Sequence, residues 1–143
     1  MSSTAARILL VEDNPDDEEL TLRALRHHQM AENVVVARDG VEALDFLFSK
    51  GTELNPLPHV VLLDLNLPRM SGHEVLKAVR EDDRTRSLPV VVLTSSNEES
   101  DIQNSYRSGA NSYIRKPVDY RQFVDAVEKI GSYWLTLNQG PIH

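Results

Sequence analysis

Val60-Val61-Leu62-Leu63-Asp64-Leu65-Asn66-Leu67-Pro68 is an apolar run that ends in a carboxylate and is closed by a proline. A short continuous run of this kind reads as a strand covered on both faces, not as one side of a sheet facing water. The same pattern recurs along the chain. Arg7-Ile8-Leu9-Leu10-Val11 leads into Glu12-Asp13, Pro89-Val90-Val91-Val92-Leu93 into Thr94-Ser95, and Ser112-Tyr113-Ile114-Arg115 into Lys116-Pro117. As neighbouring parallel strands, these runs bring three carboxylates, a hydroxyl and an ammonium to one edge of a sheet. That combination suits a divalent cation and a phosphoryl group, with Asp64 as the acceptor.

Amphipathic stretches separate the runs, the signature of βα units around a parallel sheet. A further run, Asn33 to Ala37, ends in Ala37-Arg38-Asp39-Gly40, which reads as an ordinary turn. The first helix is expected to start with Asn14 as N-cap and Pro15 at the first helical position, with Leu20, Leu22, Leu25 and Met30 on one side. Others are expected over about 41–48 (stopped near Gly51), 73–80, 99–107 (with Gly109 just beyond its end) and 120–137. Ligands of such sheets sit beyond the carboxyl ends of the strands. Strand 2 brings no site residue, which an order 2-1-3-4-5 explains by placing it at the edge. The expectation is a single α/β domain, a five-stranded, parallel, doubly wound, flavodoxin-like sheet with five helices. The domain is expected to span 7–138 with an extended last helix, between a disordered lead, 1–6, and a tail, 139–143.

Composition narrows the function classes. The chain has 143 residues, 15 Lys and Arg against 22 Asp and Glu, a formal charge of -7 and no cysteine. Nothing therefore points to a disulfide framework or a cysteine-ligated zinc. Arg80, Arg84 and Arg86 are diluted by Glu81, Asp82 and Asp83, so direct nucleic acid binding is not expected. No apolar stretch approaches the roughly 20 residues of a membrane span, and no signal peptide is evident. A cytoplasmic protein without membrane contact is the expectation.

Carboxylates at one sheet edge repel by about 4 kcal/mol per pair at 4 Å and an effective dielectric of 20. A cation or a shared proton relieves this, and magnesium suits oxygen ligands and bridges to phosphate. For Asp16, Asp17, Glu18 and Glu19 a favourable interaction with the helix N-terminus is explanation enough. For Glu12 and Asp13 it is not, because a matching acid follows strand 3. Asp64 as nucleophile would form an acyl phosphate. Lys116 would neutralise a phosphoryl oxygen and Thr94 would donate a hydrogen bond to another. His27, His28, His59, His73 and His143 fit neither a metal spacing nor a phosphotransfer helix.

Together these pieces resemble the receiver domain of two-component response regulators over nearly the whole chain. The motifs are Leu10-Val11-Glu12-Asp13-Asn14, Leu63 to Pro68 with Gly72, Leu93-Thr94-Ser95 and Tyr113-Ile114-Arg115-Lys116-Pro117. The resemblance implies that Asp64 takes phosphate from a phosphohistidine on a histidine kinase, and that the chain is no enzyme beyond its own phosphorylation and dephosphorylation. It implies magnesium, with manganese as an alternative, held by Asp13 and Asp64 directly, by Glu12 through water and by the Asn66 carbonyl. Asn66 and Ser96 take positions that tune phosphate lifetime. The resemblance also implies that Thr94 and Tyr113 are the switch, repacking helix 4, strand 5 and helix 5, and that the Lys116-Pro117 bond is often cis in such domains.

Two features suggest a narrower group. Helix 5 carries Phe123, Val127, Ile130, Trp134 and Leu137 at helical spacing, widened by Val124, Tyr133 and Leu135; this is either core packing or a homodimer surface. The segment Lys50 to His59, with Pro56 and Pro58, is long. With Ser105-Tyr106, Gly109-Ala110-Asn111 and Tyr133-Trp134-Leu135, these resemble single-domain receivers of phytochrome-type histidine kinases. That implies a light-regulated donor and a dimer through helix 4, strand 5 and helix 5. A phosphorelay intermediate, passing phosphate to a histidine phosphotransfer protein, is the alternative. A haloacid-dehalogenase-type phosphatase needs an acid where Asn66 stands, and a flavodoxin-like nucleotide binder needs a first loop less acidic than 12–17.

Overall fold

A computed structural model describes residues 8–27, 34–49, 57–96 and 98–134. The strands are β1 (Ile8–Val11), β2 (Val34–Ala37), β3 (Val60–Leu63), β4 (Val90–Thr94) and β5 (Ser112–Arg115). The helices are α1 (Pro15–His27), α2 (Gly40–Leu44), α3 (Gly72–Glu81), α4 (Glu99–Arg107) and α5 (Tyr120–Ser132). All strand pairs are parallel and the order is β2-β1-β3-β4-β5, as expected from the absence of site residues after strand 2.

The alternation of side chains along each strand divides the core in two. Leu9, Val11, Val61 and Leu63 point to one face and pack with Leu47, Val75, Leu76 and Val79. Ile8, Leu10, Val60, Leu62, Val91 and Leu93 point to the other and pack with Ala24, Leu25, Phe123, Val127 and Ile130. β1, β3 and β4 are buried throughout, whereas β5 at the sheet edge is only part-buried.

Local chemistry sets the helix starts. Asn14 Oδ1 accepts from the amides of Asp16 and Asp17 at 2.9 and 3.0 Å, capping α1. Ser71 and Glu74 form a reciprocal capping box on α3. Asp39 caps α2 and Asp119 caps α5. Glu98 precedes α4 without a side-chain cap, and Ser105 is that helix's buried residue. Gly109 follows α4 with φ 102°, the left-handed conformation expected just past a helix end.

Two elements differ from expectation. The second helix ends at Leu44 and continues as one π-helical turn, Asp45–Ser49. Leu47 is buried with Phe46 and Phe48 packed beside it, three consecutive residues that a regular helix fans around its axis. In the last helix Phe123, Val127 and Ile130 are buried and Trp134 packs against them, so most of the stripe is core. Tyr133 is half-exposed and meets Trp134 edge-to-face at 5.0 Å. The proposed lead, the Gly51 stop, Met30, most of the long segment before β3, Leu135, Leu137 and the tail lie outside the described residues.

Candidate functional site

Three hydrogen bonds carry the sheet ladder one residue past the strands. Glu12 N–H donates to the Ala37 carbonyl at 2.9 Å, Asp64 N–H to Val11 at 3.1 Å and Lys116 N–H to Thr94 at 2.7 Å. The residue after each strand is thereby held at the carboxyl edge. Glu12, Asp64, Thr94 and Lys116 are all buried there, at 2%, 7%, 0% and 8% exposure.

Lys116 Nζ donates to Glu12 Oε1 at 2.7 Å, Asp17 Oδ2 at 2.8 Å and Asp64 Oδ2 at 3.1 Å. Asp64 Oδ1 accepts from Thr94 Oγ1 at 2.8 Å and from the Asn66 backbone N–H at 3.2 Å. Asp13 is exposed, but its carboxylate lies with those of Glu12 and Asp64 in a group whose oxygens are within 4.8 Å of one another. One ammonium faces three carboxyl groups, a fourth from Asp13 stands beside them, and all the candidate ligand atoms are hard oxygens. This set fits magnesium or manganese, which would supply the missing positive charge. Burial pushes the Glu12 carboxyl up to about 7 against the opposing pull of Lys116. Burial also lowers the Lys116 pKa, but the hydrogen bonds that it donates to Asp17 and Glu12 outweigh this and hold the group above its ordinary value.

The two expected switch residues are linked through the loop after β4. Thr94 touches Asp64, and two residues on, the Ser96 carbonyl accepts the Tyr113 hydroxyl at 2.8 Å. The Tyr113 ring is part-buried, as a tyrosine poised between core and solvent must be. Ser96 Oγ also donates to Asp101 Oδ2 at 2.5 Å, and Asp101 Oδ1 meets His73 Nε2 at 3.3 Å.

All the expected site residues gather at this edge, with Tyr113 one loop away. Asp17 is the addition, because the helix-dipole argument does not explain its contact with Lys116. It stands among several acids in the first turn of α1, so no local signal singles it out. The Lys116-Pro117 bond is trans, since cis bonds are absent from the described residues; trans is the preferred form of X-Pro bonds unless local packing reverses it.

The profile of the response regulator receiver domain family matches residues 8–128. A probable methanogenesis regulatory protein, FilR2 of Methanothrix harundinacea, is 41% identical over 134 residues, covering 94% of this chain and 86% of that protein. Response regulator Rcp1 of Synechocystis is 38% identical over 129 residues, covering 90% and 88%. A manganese-bound crystal structure of Rcp1 superposes with a TM-score of 0.84 at 36% identity over 94% of this chain and 98% of that one. The phosphorylated cyanobacterial phytochrome response regulator RcpA superposes with a TM-score of 0.87 at 39% identity, covering 96% and 99%. Among the described residues, no helix is long and apolar enough to cross a membrane. The order of the sheet, the acids gathered at its carboxyl edge and the match along most of its length make this chain a response regulator receiver domain, a module of two-component signalling.

Proposed function

We propose that the chain is a single-domain response regulator, one receiver unit over 7–138, that accepts a phosphoryl group on Asp64. The observation that carries this reading is the contact set of Asp64: Thr94 and the Asn66 amide on one oxygen, Lys116 on the other. An Asp64 oxygen attacks the phosphorus of a phosphohistidine on a histidine kinase. The P–N bond breaks and its electron pair stays on the imidazole nitrogen, which takes up a proton. Phosphoryl transfer needs in-line positioning and charge neutralisation more than covalent help, and these contacts offer both. Asp13, Asp64 and the Asn66 carbonyl would hold magnesium or manganese directly, and Glu12 would reach it through water while still engaged by Lys116. The cation would neutralise charge on the phosphoryl oxygens.

Output follows from the Thr94 hydroxyl, which is shared between Asp64 and an incoming phosphoryl group. When Thr94 moves, the loop bearing Ser96 moves with it, and Tyr113 is tied to that loop. The surface so altered is α4, β5 and α5, where Tyr106, Val118 and Tyr120 are exposed, and a homodimer through this face is the proposed readout. Likeness to RcpA, a phytochrome response regulator, supports a phytochrome-type kinase as donor. Passing the phosphate on to a histidine phosphotransfer protein is the other route the site allows. The test is intact mass after acetyl phosphate and magnesium, with sedimentation of the same samples. One metal-dependent adduct and a shift towards dimer are expected; no adduct, from acetyl phosphate or from a phosphorylated histidine kinase, overturns the reading.

A further inference from the structure

The turn after β2 contributes nothing to the acidic cluster, yet it grips the loop beside it. Arg69, in the loop between β3 and α3, reaches Asp39 Oδ2 through Nε at 2.9 Å and Nη2 at 2.8 Å. The other oxygen, Asp39 Oδ1, accepts the Glu42 amide at 2.8 Å, so capping α2 fixes the carboxylate in place. Arg69 has φ 67°, a left-handed conformation that side chains with a Cβ rarely adopt. Next to it, Gly40 comes so near that a Cβ there would lie 2.7 Å from the Met70 carbonyl oxygen. The root of the loop is closed by Gly72 N–H on the Leu65 carbonyl at 2.9 Å. Inside that closed span lies Asn66, whose amide donates to Asp64.

A residue in an unfavourable backbone conformation persists where its surroundings over-determine it. Here that conformation is not needed to seat α3, which has its own capping box and buries Val75, Leu76 and Val79. Nor does the ion pair do much for the fold, since the Arg69 side chain is 57% exposed and such pairs are weak. What the pair does fix is the path of residues 65–71. We propose that Asp39 and Arg69 are positioning residues for the acceptor site: their ion pair holds the loop so that the Asn66 backbone faces Asp64 and the cation. This inference rests on the acidic cluster being a cation and phosphoryl site.

The test is calorimetric titration of the metal-free full chain with Mn2+, alongside thermal melting. It compares wild type, Asp39→Asn, Arg69→Gly, the double variant and Arg84→Gln. Asparagine keeps the cap on Glu42 while losing the charge, and glycine accepts the left-handed backbone while losing the guanidinium. Each of these two is expected to weaken Mn2+ binding about tenfold with little change in melting temperature. The double variant is expected to be no weaker than the weaker single, because both remove one interaction. Arg84→Gln loses a contact on the Leu47 carbonyl, away from the loop, and is expected to bind as wild type does. A wild type that binds Mn2+ with loop variants that match it overturns the positioning role alone. Additive losses, or a loss that Arg84→Gln shares, overturn it as well. A wild type that binds no Mn2+ overturns the cation site itself.

Discussion

At the carboxyl end of the sheet one ammonium, Lys116, faces three carboxylates, whereas near the amino ends of β4 and β5 one guanidinium, Arg80, faces four neutral acceptors. Those acceptors are the carbonyls of Gly109, Arg86 and Leu88 and the side-chain oxygen of Asn111, at 2.7–3.0 Å. Asn111 in turn bonds Val90 in both directions, so Arg80 clasps the loops that start two strands. Burial lowers the pKa of Arg80, while Lys116 is held above its ordinary value by its acidic partners. The arginine completes a neutral hydrogen-bonding site. The lysine leaves an excess of negative charge that a cation can relieve. Neutral hydrogen bonding is concentrated at one end of the sheet and charge at the other.

The sharpest way to break this comparison is at Asp64. Asp64→Asn is expected to lose the phosphoryl adduct entirely while keeping its fold, read by intact mass and circular dichroism; an adduct at unchanged stoichiometry would remove Asp64 as acceptor. The counterpart at the other end is Arg80→Ala. It is expected to lower stability by about 2–4 kcal/mol in a urea melt, because several acceptors lose a charged donor. Its folded fraction is expected to accept phosphate normally, and a specific loss of adduct would show that the two ends are not separate.

Proton competition tests the charge imbalance more gently. With its carboxyl raised to about 7, Glu12 binds a proton more tightly in the folded chain than in the unfolded one. Metal-free stability therefore falls as pH climbs from about 4.5 to about 7. Mn2+ affinity is expected to rise as pH passes through the folded-state value near 7, by up to about tenfold between pH 6 and pH 8, as Glu12 loses the proton that competes with the cation. A pH-independent affinity would remove Glu12 from the site. The smallest effect is expected at Ser105, whose buried hydroxyl has no hydrogen-bond partner among the described residues. Ser105→Ala is expected to change stability by less than about 0.5 kcal/mol in the same melt. A larger loss would mean that the α4 side of the Arg80 clasp depends on that hydroxyl.

Much of this is legible in the chain alone. Buried strands of a doubly wound sheet are continuous apolar runs, so 8–11, 60–63 and 90–93 declare themselves, and the residue after each run must stand at the sheet edge. Asp17 was not legible in that way. Several acids crowd the start of α1, and all of them suit a helix N-terminus; which one meets Lys116 depends on how the helix docks against the sheet. The α2 boundary was blurred for a related reason, since Phe46, Leu47 and Phe48 look helical until the core requires all three.

The pattern of apolar runs and terminal polar residues, by itself, determined the fold class, the strand order and which residues stand at the carboxyl edge of the sheet. Periodicity and strand-end chemistry are local properties that a linear chain displays. Only the tertiary structure decided that Asp39 and Arg69, 30 residues apart, belong together. That contact exists because β1 pairs with β2 on one side and β3 on the other, which brings the turn after β2 within reach of the β3–α3 loop. No local rule of sequence encodes a distance set by a strand that neither residue belongs to.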